Sequence, residues 1–205
     1  MALELRTAQV GPYSMNTYAL ISQESGESVL FDPGGDPEKL RAMLAGSKPI
    51  AILLTHSHID HVMALDEMLA DLNVPLYAHP GPHVEEIAAD HWLEDGDSFQ
   101  LGEDVLDVQH TPGHIGDQIC FAIRGDNRVV VGDTIFAGGP GRTWSNEGFQ
   151  QTLETFRNVV LKWSDDTVCY PGHGPHFRLG DIRAAVEAFV AKVHGDFHGD
   201  STWDM

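Results

Sequence analysis

Three histidines and one aspartate stand close together in segment 55–61, which reads THSHIDH. Residues two apart point the same way in an extended chain, so His56 and His58 can converge on one metal ion. Asp60 and His61 follow where the chain turns into a predicted helix, and they can point at a neighbouring ion. A lone His-x-His is often solvated surface, whereas this combination predicts a metal site.

Three later segments each place a candidate ligand just after an extended, apolar run. They are His114 after residues 105–110, Asp133 after residues 128–132, and His173 after residues 167–170. In layered α/β proteins, functional groups gather on loops held by a rigid scaffold at the ends of strands. A glycine directly before each of the three lets the backbone approach a crowded centre. These side chains are therefore predicted to join the site.

The order T-H-x-H-x-D-H, P-G-H, G-D and P-G-H-G along the chain resembles the metallo-β-lactamase superfamily of metallo-hydrolases. Within it, the chain is most similar to the short bacterial members of the glyoxalase II group, the hydroxyacylglutathione hydrolases. The resemblance runs from about residue 16 to about residue 180. It implies an α/β (α+β) fold, a four-layer αββα sandwich of the metallo-β-lactamase type with the site at one edge.

The resemblance also implies how the ligands are shared between two divalent metal ions, with Asp133 bridging them. The first ion takes His56, His58 and His114, and the second takes Asp60, His61 and His173. The antibiotic-hydrolysing lactamases lack a bridging aspartate, so β-lactam hydrolysis is not the expected native reaction. Zinc is the first expectation because it suits mixed imidazole and carboxylate ligands, and iron and manganese are alternatives.

A pair of such ions would supply hydrolytic chemistry. Two cations about 3.5–4 Å apart can share a water and bring its pKa towards neutrality, giving a bridging hydroxide as nucleophile. Asp60 is the candidate catalytic residue, because it can orient the hydroxide and receive its proton. A thiolate with a pKa near 8.5 leaves with little help from a general acid. The predicted function is therefore a glyoxalase II-like thioesterase that cleaves an acyl-glutathione-type thioester, a small-molecule substrate.

Three more residues match family positions beside the metal ligands. Asp32, in the turn DPGG, is either an outer support that orients a ligand or an ordinary turn residue after a strand. Arg142 and Trp144 fall where the family carries a cationic residue and an aromatic residue that hold glutathione. Arginine suits a carboxylate, so both are predicted substrate contacts, although a surface loop would also carry such an arginine.

The remaining histidines and both cysteines are not expected to bind metal. Cys120 and Cys169 lie in apolar stretches and are predicted to be buried free thiols. The other seven of the 12 histidines are expected to be solvated or hydrogen-bonded: His79, His83, His91, His110, His176, His194 and His198.

Short strands and helices alternate along the chain and must carry these residues. Strands are predicted at 16–22, 28–32, 50–55, 75–78, 98–101, 105–109, 118–123, 129–131 and 167–170. Helices are predicted from residue 37 and at 62–72, 82–89, 147–161 and 182–193. This mixture predicts stacked layers in which helices cover sheet, but it leaves the strand pairing open.

Composition bounds the class of protein. The 205 residues fit one domain with a loose tail at about 194–205, where Phe197 and Trp203 make a homodimer a further expectation. The net charge of −19 argues against nucleic acid as a partner. No apolar run reaches the roughly 18 residues of a membrane span, and no signal-peptide pattern is visible. A cytoplasmic protein that does not bind a membrane is therefore expected.

Two features depart from the longer glyoxalase II enzymes. Only 32 of the 205 residues follow His173, and they are acidic, so the basic helical domain that grips glutathione is missing. In addition, Val62-Met63-Ala64 stands where the family usually has a glycine, which is expected to change the helix start or narrow the pocket.

Other functions stay open for the same ligand set. The runner-up is a persulfide dioxygenase, an oxidoreductase with one iron held by the positions that match His56, His114 and Asp133. A lactonase or other ester hydrolase comes third, because no clear tyrosine matches the one that such enzymes use. A non-enzymatic metal-binding or docking domain comes last, since the ligand set for two metals is complete.

Overall fold

The computed structural model describes residues 3–205, and two six-stranded sheets form its centre. The first sheet comes from the N-terminal half, and its strands are hydrogen-bonded in chain order. Three helices connect its parallel strands: α1 (Pro37–Leu44), α2 (Ile59–Val62) and α3 (Leu65–Leu72). Its strands are β1 (Leu3–Val10), β2 (Met15–Ser22), β3 (Glu27–Phe31), β4 (Lys48–Leu53), β5 (Leu76–Ala78) and β6 (His91–Trp92).

The second sheet comes from the C-terminal half. Its strands are β7 (Ser98–Leu101), β8 (Asp104–His110), β9 (Ile119–Ile123), β10 (Arg128–Gly132), β13 (Val168–Pro171) and β14 (Phe177–Arg178), in the spatial order β14-β13-β10-β9-β8-β7. Between β10 and β13 lie a hairpin of β11 (Ile135–Phe136) and β12 (Gly139–Pro140), helix α4 (Asn146–Asn158) and a 3₁₀ turn, Val160–Lys162. Helix α5 (Leu179–Ala191) follows the last strand. Strands β10 and β13 are parallel, so their carboxyl ends meet at one edge.

The inner strands of both sheets are buried on both faces. In β4, Leu53 packs between the sheets while its neighbour Ile52 packs against α1 and α3. In β10, Val130 faces the first sheet, whereas Val129 packs on the side of α4 and α5. Three apolar layers thus separate helix, sheet, sheet and helix, which confirms the αββα sandwich.

Two predicted helices differ from the structure. The helix expected at 62–72 is broken into α2 and α3, because the Ala64 amide donates to the carbonyl of Pro33 instead of continuing the helix. The helix expected at 82–89 is wrong, since this segment is irregular. The amides of Val84 and Glu85 bond to Ser57, so they are not available for helical hydrogen bonds.

The tail after α5 has no regular secondary structure, yet its aromatic side chains pack on the chain's own core. Trp203 is buried against Phe156 and Phe189, and Phe197 packs edge-on against Phe149. The aromatic residues that suggested a dimer contact are therefore used within the chain.

Two simpler expectations concern burial and helix length. Cys120 and Cys169 are buried free thiols, as predicted. Over residues 3–205, none of the helices combines the length and the apolar character needed to cross a bilayer.

Candidate metal centre

The first four candidate ligands lie on the loop that joins β4 to α2. His56 and His58 are on the extended part of this loop, and His58 is the residue directly before the helix. Asp60 and His61 belong to the single turn of α2. His56 and His61 are fully buried, and the strand β4 that precedes them is an inner strand of the first sheet. The sequence spacing therefore produces one tight cluster of side chains.

The other three candidates approach from the second sheet. His114 follows β8, Asp133 follows β10, and His173 follows β13. Space here is so tight that a Cβ on Gly172 would lie 2.3 Å from Asp133 Oδ1 and 2.6 Å from His61 Cε1. Glycine is thus the residue that lets the β13 loop reach the centre.

His56, His58 and His114 form the first group. His58 Nδ1 lies 3.1 Å from His56 Nε2 and 2.8 Å from His114 Nε2. Three ring nitrogens that converge on one point are the arrangement that a divalent cation needs. The structure therefore brings together the predicted ligands of the first ion.

Asp60, His61 and His173 form the second group, in which His173 Nε2 lies 2.9 Å from Asp60 Oδ2. Asp133 lies between the two groups. Its Oδ1 is 3.5 Å from His61 Nε2, and its Oδ2 is 3.7 Å from the Nε2 atoms of both His114 and His173. All seven predicted ligands thus lie in one site, and Asp133 is placed to touch both groups.

Outer contacts orient the imidazole rings. His61 Nδ1 donates to Asp32 Oδ2 at 3.0 Å, and His114 Nδ1 donates to the Arg142 carbonyl at 2.7 Å. His56 Nδ1 lies 3.0 Å from Thr55 Oγ1. Each contact leaves the Nε2 atom facing the centre, which is how outer partners fix a ligating tautomer. Asp32 therefore lies where the prediction of an outer support needs it, whereas Thr55 was part of the quoted motif but was assigned no role from the sequence.

Asp32 itself is held in place by the segment that it supports. Its two carboxylate oxygens accept from the amide and the hydroxyl of Thr55, both at 2.7 Å. Its φ of 45° lies in the left-handed region, which aspartate tolerates better than most residues. The sequence left two roles for Asp32 as alternatives, a turn residue and an outer support. In the structure Asp32 fills both.

The two groups differ in the direction of their pKa shifts. Burial lowers the pKa of His58 to about 4 and that of His56 well below its usual value, and neighbouring imidazoles add to the effect. Burial also opposes charge on His61, but Asp133 and Asp32 outweigh it and raise the pKa of His61 to about 10. Burial disfavours the Asp133 carboxylate too, yet His61 lowers the pKa of Asp133 to about 2. The carboxylates around the second group therefore favour a bound positive charge, whether a proton or a metal cation.

Two atoms in the centre test whether a metal fits these residues. His61 Nε2 and Asp133 Oδ1 are buried and have no hydrogen-bond partner among the described residues. Leaving such a group unsatisfied costs about 1–3 kcal/mol, and more for a charged group. A divalent cation would coordinate both atoms and compensate the negative charge of the two carboxylate ligands, Asp60 and Asp133. The donor set of imidazole and carboxylate fits divalent transition metals, as the sequence predicted.

Arg142 and Trp144 lie next to the first group. The Trp144 ring is 59% exposed, and its centroid is 6.1 Å from that of His58. The Arg142 guanidinium lies 4.6 Å above the Trp144 ring and pairs with Asp200 of the tail at 3.2 Å. Trp144 therefore lies beside the first group, and the Arg142 guanidinium lies over the Trp144 ring.

A cavity of about 420 Å³ opens beside His114 and Trp144. Its other walls come from the irregular segment 82–84, from residues 115–116 and from the first turns of α4. Sequence reasoning missed segment 82–84, because it was expected to be helical and carries no motif. Ser57 accepts a hydrogen bond from that segment and lies within the histidine motif. Its position in the motif was the only sequence signal that could have pointed to this wall of the cavity.

The extra histidines stay outside the centre. His79 and His110 stack on each other with centroids 4.1 Å apart, His91 stacks on Tyr77, and His176 stacks on Tyr170. Over residues 3–205, groups of side chains that could hold an ion contain only the seven predicted ligands.

Comparison with known sequences gives consistent matches. The model of the family described as the metallo-beta-lactamase superfamily matches residues 10–185. The probable metallo-hydrolase YqgX of Bacillus subtilis (strain 168) is 34% identical over 194 residues, covering 84% of this chain and 91% of that protein. A hydroxyacylglutathione hydrolase of Hahella chejuensis is 32% identical over 168 residues, covering 80% of this chain and 63% of that protein.

Solved structures have the same fold. BLEG-1, a B3 metallo-beta-lactamase, gives a TM-score of 0.79 at 29% identity and covers 88% of this chain and 97% of its own. TTHA1623, solved in a di-iron-bound form, gives a TM-score of 0.72 at 29% identity and covers 87% of this chain and 96% of its own. ETHE1 from Myxococcus xanthus gives a TM-score of 0.82 at 23% identity and covers 94% of this chain and 86% of its own. This likeness supports the fold alone.

Proposed function

Since the chain belongs to the metallo-β-lactamase superfamily of metallo-hydrolases, we propose that it is a thioesterase of the glyoxalase II type. Its substrate in this proposal is an acyl-glutathione-type thioester. The observation that carries the proposal is Asp133, which lies between two complete groups of ligands and within 3.7 Å of a histidine in each. Two of the curated relatives are hydroxyacylglutathione hydrolases, which supports the thioester as substrate.

Two divalent cations held by these groups would lower the pKa of a shared water and polarise the acyl oxygen. Around them, the chain's own residues do the positioning. Asp60 is half-buried, and its Oδ2 lies 2.9 Å from His173 Nε2, so this carboxylate is placed at the open side of the second group. We propose that Asp60 orients the water and accepts its proton. His61 and Asp133 are more deeply buried, and their proposed role is to hold the metal ions.

Zinc is the metal that we propose, with iron or manganese as alternatives. Five of the seven predicted ligands are imidazoles and two are carboxylates, and zinc accepts nitrogen and oxygen donors in tetrahedral or five-coordinate geometry. The di-iron form of TTHA1623, a related structure, is the reason to measure the metal and not to assume it.

The substrate side of the proposal rests on the first group's neighbours. Arg142 offers a cation to a carboxylate of the thiol carrier, and Trp144 offers a flat apolar face beside His58. A thiolate leaving group with a pKa of about 8.5 does not need a strong general acid. We also keep the predictions of a cytoplasmic enzyme without nucleic-acid or membrane partners, and of a homodimer.

The experiment measures metal content and two reactions on the same purified protein. Two zinc ions per chain and thiol release from S-lactoylglutathione are the expected results. H173A should lose the second ion and H56A the first. H176A is the matched control, because His176 lies close to His173 in sequence but stacks on Tyr170 outside the centre. Unchanged metal content in both H173A and H56A would contradict the ligand assignment.

A mononuclear iron persulfide dioxygenase is the second candidate. His56, His114 and Asp133 lie close together, as a triad of two histidines and one carboxylate requires. One iron per chain, with oxygen consumption on glutathione persulfide and no thiol release from thioesters, would favour this candidate over the thioesterase.

A further inference from the structure

The C-terminal tail, residues 195–205, lies against the loop that carries Arg142 and Trp144, which we define as the site loop, residues 137–145. Thr143 donates its amide to the Gly199 carbonyl at 3.1 Å, and the Gly199 amide donates to Thr143 Oγ1 at 3.2 Å. The tail and the site loop are thus joined by a reciprocal pair of hydrogen bonds, one end of which is buried at Thr143.

A second attachment lies at the hairpin end of the site loop. Trp203 donates its amide to the Gly138 carbonyl at 3.3 Å and its indole Nε1 to the Ala137 carbonyl at 2.9 Å. The contact is close-packed, since a Cβ on Gly139 would lie 2.2 Å from the Ser201 carbonyl oxygen. These contacts leave no room for water between the two segments at this point.

The opposite side of the site loop rests on two predicted ligands. A Cβ on Gly141 would lie 2.0 Å from the Asp133 carbonyl oxygen and 3.1 Å from His114 Cβ. The Arg142 carbonyl accepts the Nδ1 proton of His114 at 2.7 Å. The site loop is therefore enclosed between the tail on one side and Asp133 and His114 on the other.

The tail is itself anchored in the core. The Trp203 ring is 8% exposed and lies 5.6 Å from Phe156 and 5.5 Å from Phe189, centroid to centroid. Asn146 at the start of α4 also donates to the carbonyls of Gly195 and Phe197. A segment fixed at both ends transmits its position to what it touches.

We propose that the tail is a positioning element of the metal centre. It holds the site loop so that the Arg142 carbonyl orients the His114 ring and Trp144 stands beside His58. The tail thereby sets both the metal affinity of the first group and the substrate affinity. This inference rests on the metal site of the proposed function, but it does not depend on which substrate is cleaved.

Two neighbouring glycines provide a matched test in the full-length protein. Gly139→Ala places a methyl group on the Ser201 carbonyl, whereas Gly138→Ala places it in open space, and neither glycine has a positive φ. Hydrogen exchange of residues 137–145 should be at least about tenfold faster in G139A, and zinc affinity in a chelator competition should fall by about tenfold, as for loss of an outer-shell contact. G138A should behave as wild type in both measurements.

A second pair of variants covers the case in which G139A does not fold. W203F keeps the aromatic packing but loses the bond to Ala137, and W163F is its control, because Trp163 Nε1 bonds Gln109 away from the tail. Unchanged exchange in W203F and G139A would overturn the proposal, and so would faster exchange with unchanged zinc affinity. A wild-type protein that binds zinc but cleaves no thioester would contradict the proposed function and not this inference.

Discussion

The two sheets supply the metal centre in different ways. The first sheet contributes His56, His58, Asp60 and His61 from a single loop after β4. The second sheet contributes His114, Asp133 and His173 from three loops after three different strands. The second set therefore depends on strand order in space, because β8 and β10 are separated by β9, and β13 lies beyond β10. One half of the site is local, and the other half is assembled by the fold.

The two groups of ligands also differ in charge. The first group consists of three histidines whose pKa values are lowered by burial, so these rings are neutral and ready to coordinate. In the second group, Asp60 raises the pKa of His173, and Asp133 and Asp32 raise that of His61 despite its burial. Without a cation, the second group is a place that binds protons. A divalent cation there would replace a proton, whereas a cation at the first group displaces none.

Removing Asp133 should have the largest effect, because it is the residue that both groups share. D133N is expected to lose at least one metal ion per chain and to reduce kcat/KM by more than the roughly 100-fold that loss of an outer partner costs. The measurements are elemental analysis and thioester turnover. D104N, which changes another buried aspartate of the second sheet, is the control. Retention of both ions in D133N would show that the groups bind metal independently.

Asp32 links the second group to the first sheet, and D32N should have the next largest effect. An asparagine amide would donate to His61 Nδ1 and move the ring proton to Nε2, which then faces the centre and cannot coordinate. Metal affinity should fall about 10–100-fold. D36N is the control, since Asp36 has a similar positive φ but contacts Gly11 and Lys39 instead. Equal metal affinities of D32N and D36N would contradict a role of Asp32 in orienting His61 for metal binding.

The charge difference predicts opposite pH effects on the metal-free protein. His58 has a folded pKa of about 4, below the ordinary 6.5, so its contribution to stability is lost as pH falls from about 6.5 to 4. His61 has a folded pKa of about 10, so its contribution is full below pH 6.5 and is lost as pH rises towards 10. The thermal midpoint of chelator-treated protein should therefore be highest near pH 6.5.

Two comparisons isolate these pH effects from the rest of the chain. H58A should flatten the acid side of the stability profile relative to wild type. Zinc should flatten the alkaline side, because the cation displaces the proton of His61. A wild-type profile that keeps rising from pH 6.5 to 9 without metal would contradict the assignment of charge to the second group.

The smallest effect is expected at the rim of the first group. W144A removes the exposed ring that stands under Arg142, and an exposed cation–π contact contributes about 0.5–1 kcal/mol. KM for the thioester should therefore rise about two- to fivefold with kcat and metal content unchanged. W92A, which removes another exposed tryptophan, is the control. A fall in kcat with unchanged KM would place Trp144 in the chemistry and not in binding.

Much of the molecule was predictable because its signals are local. The strand before His56 and the ligand spacing in segment 55–61 depend on neighbours in the chain. The structure has this strand two residues earlier than predicted, and it brings the side chains of the segment into groups that could hold an ion. Segment 82–89 was wrongly predicted as a helix, because its amides bond to Ser57, which is more than 25 residues away. The break at Ala64 has the same cause, since the carbonyl of Pro33 accepts its amide.

The sequence by itself determined which side chains are candidate metal ligands and which family motif they form. Ligand types and their spacing along the chain are sufficient for that, because each short motif encodes its own strand end and turn. The family resemblance implied that Asp133 bridges the two groups, and the structure places it between them. Only the tertiary structure decided that Asp32 orients His61 and that the tail packs on the site loop. Those relations join residues that are distant in the chain, and they depend on strand order and close packing, which no local pattern specifies.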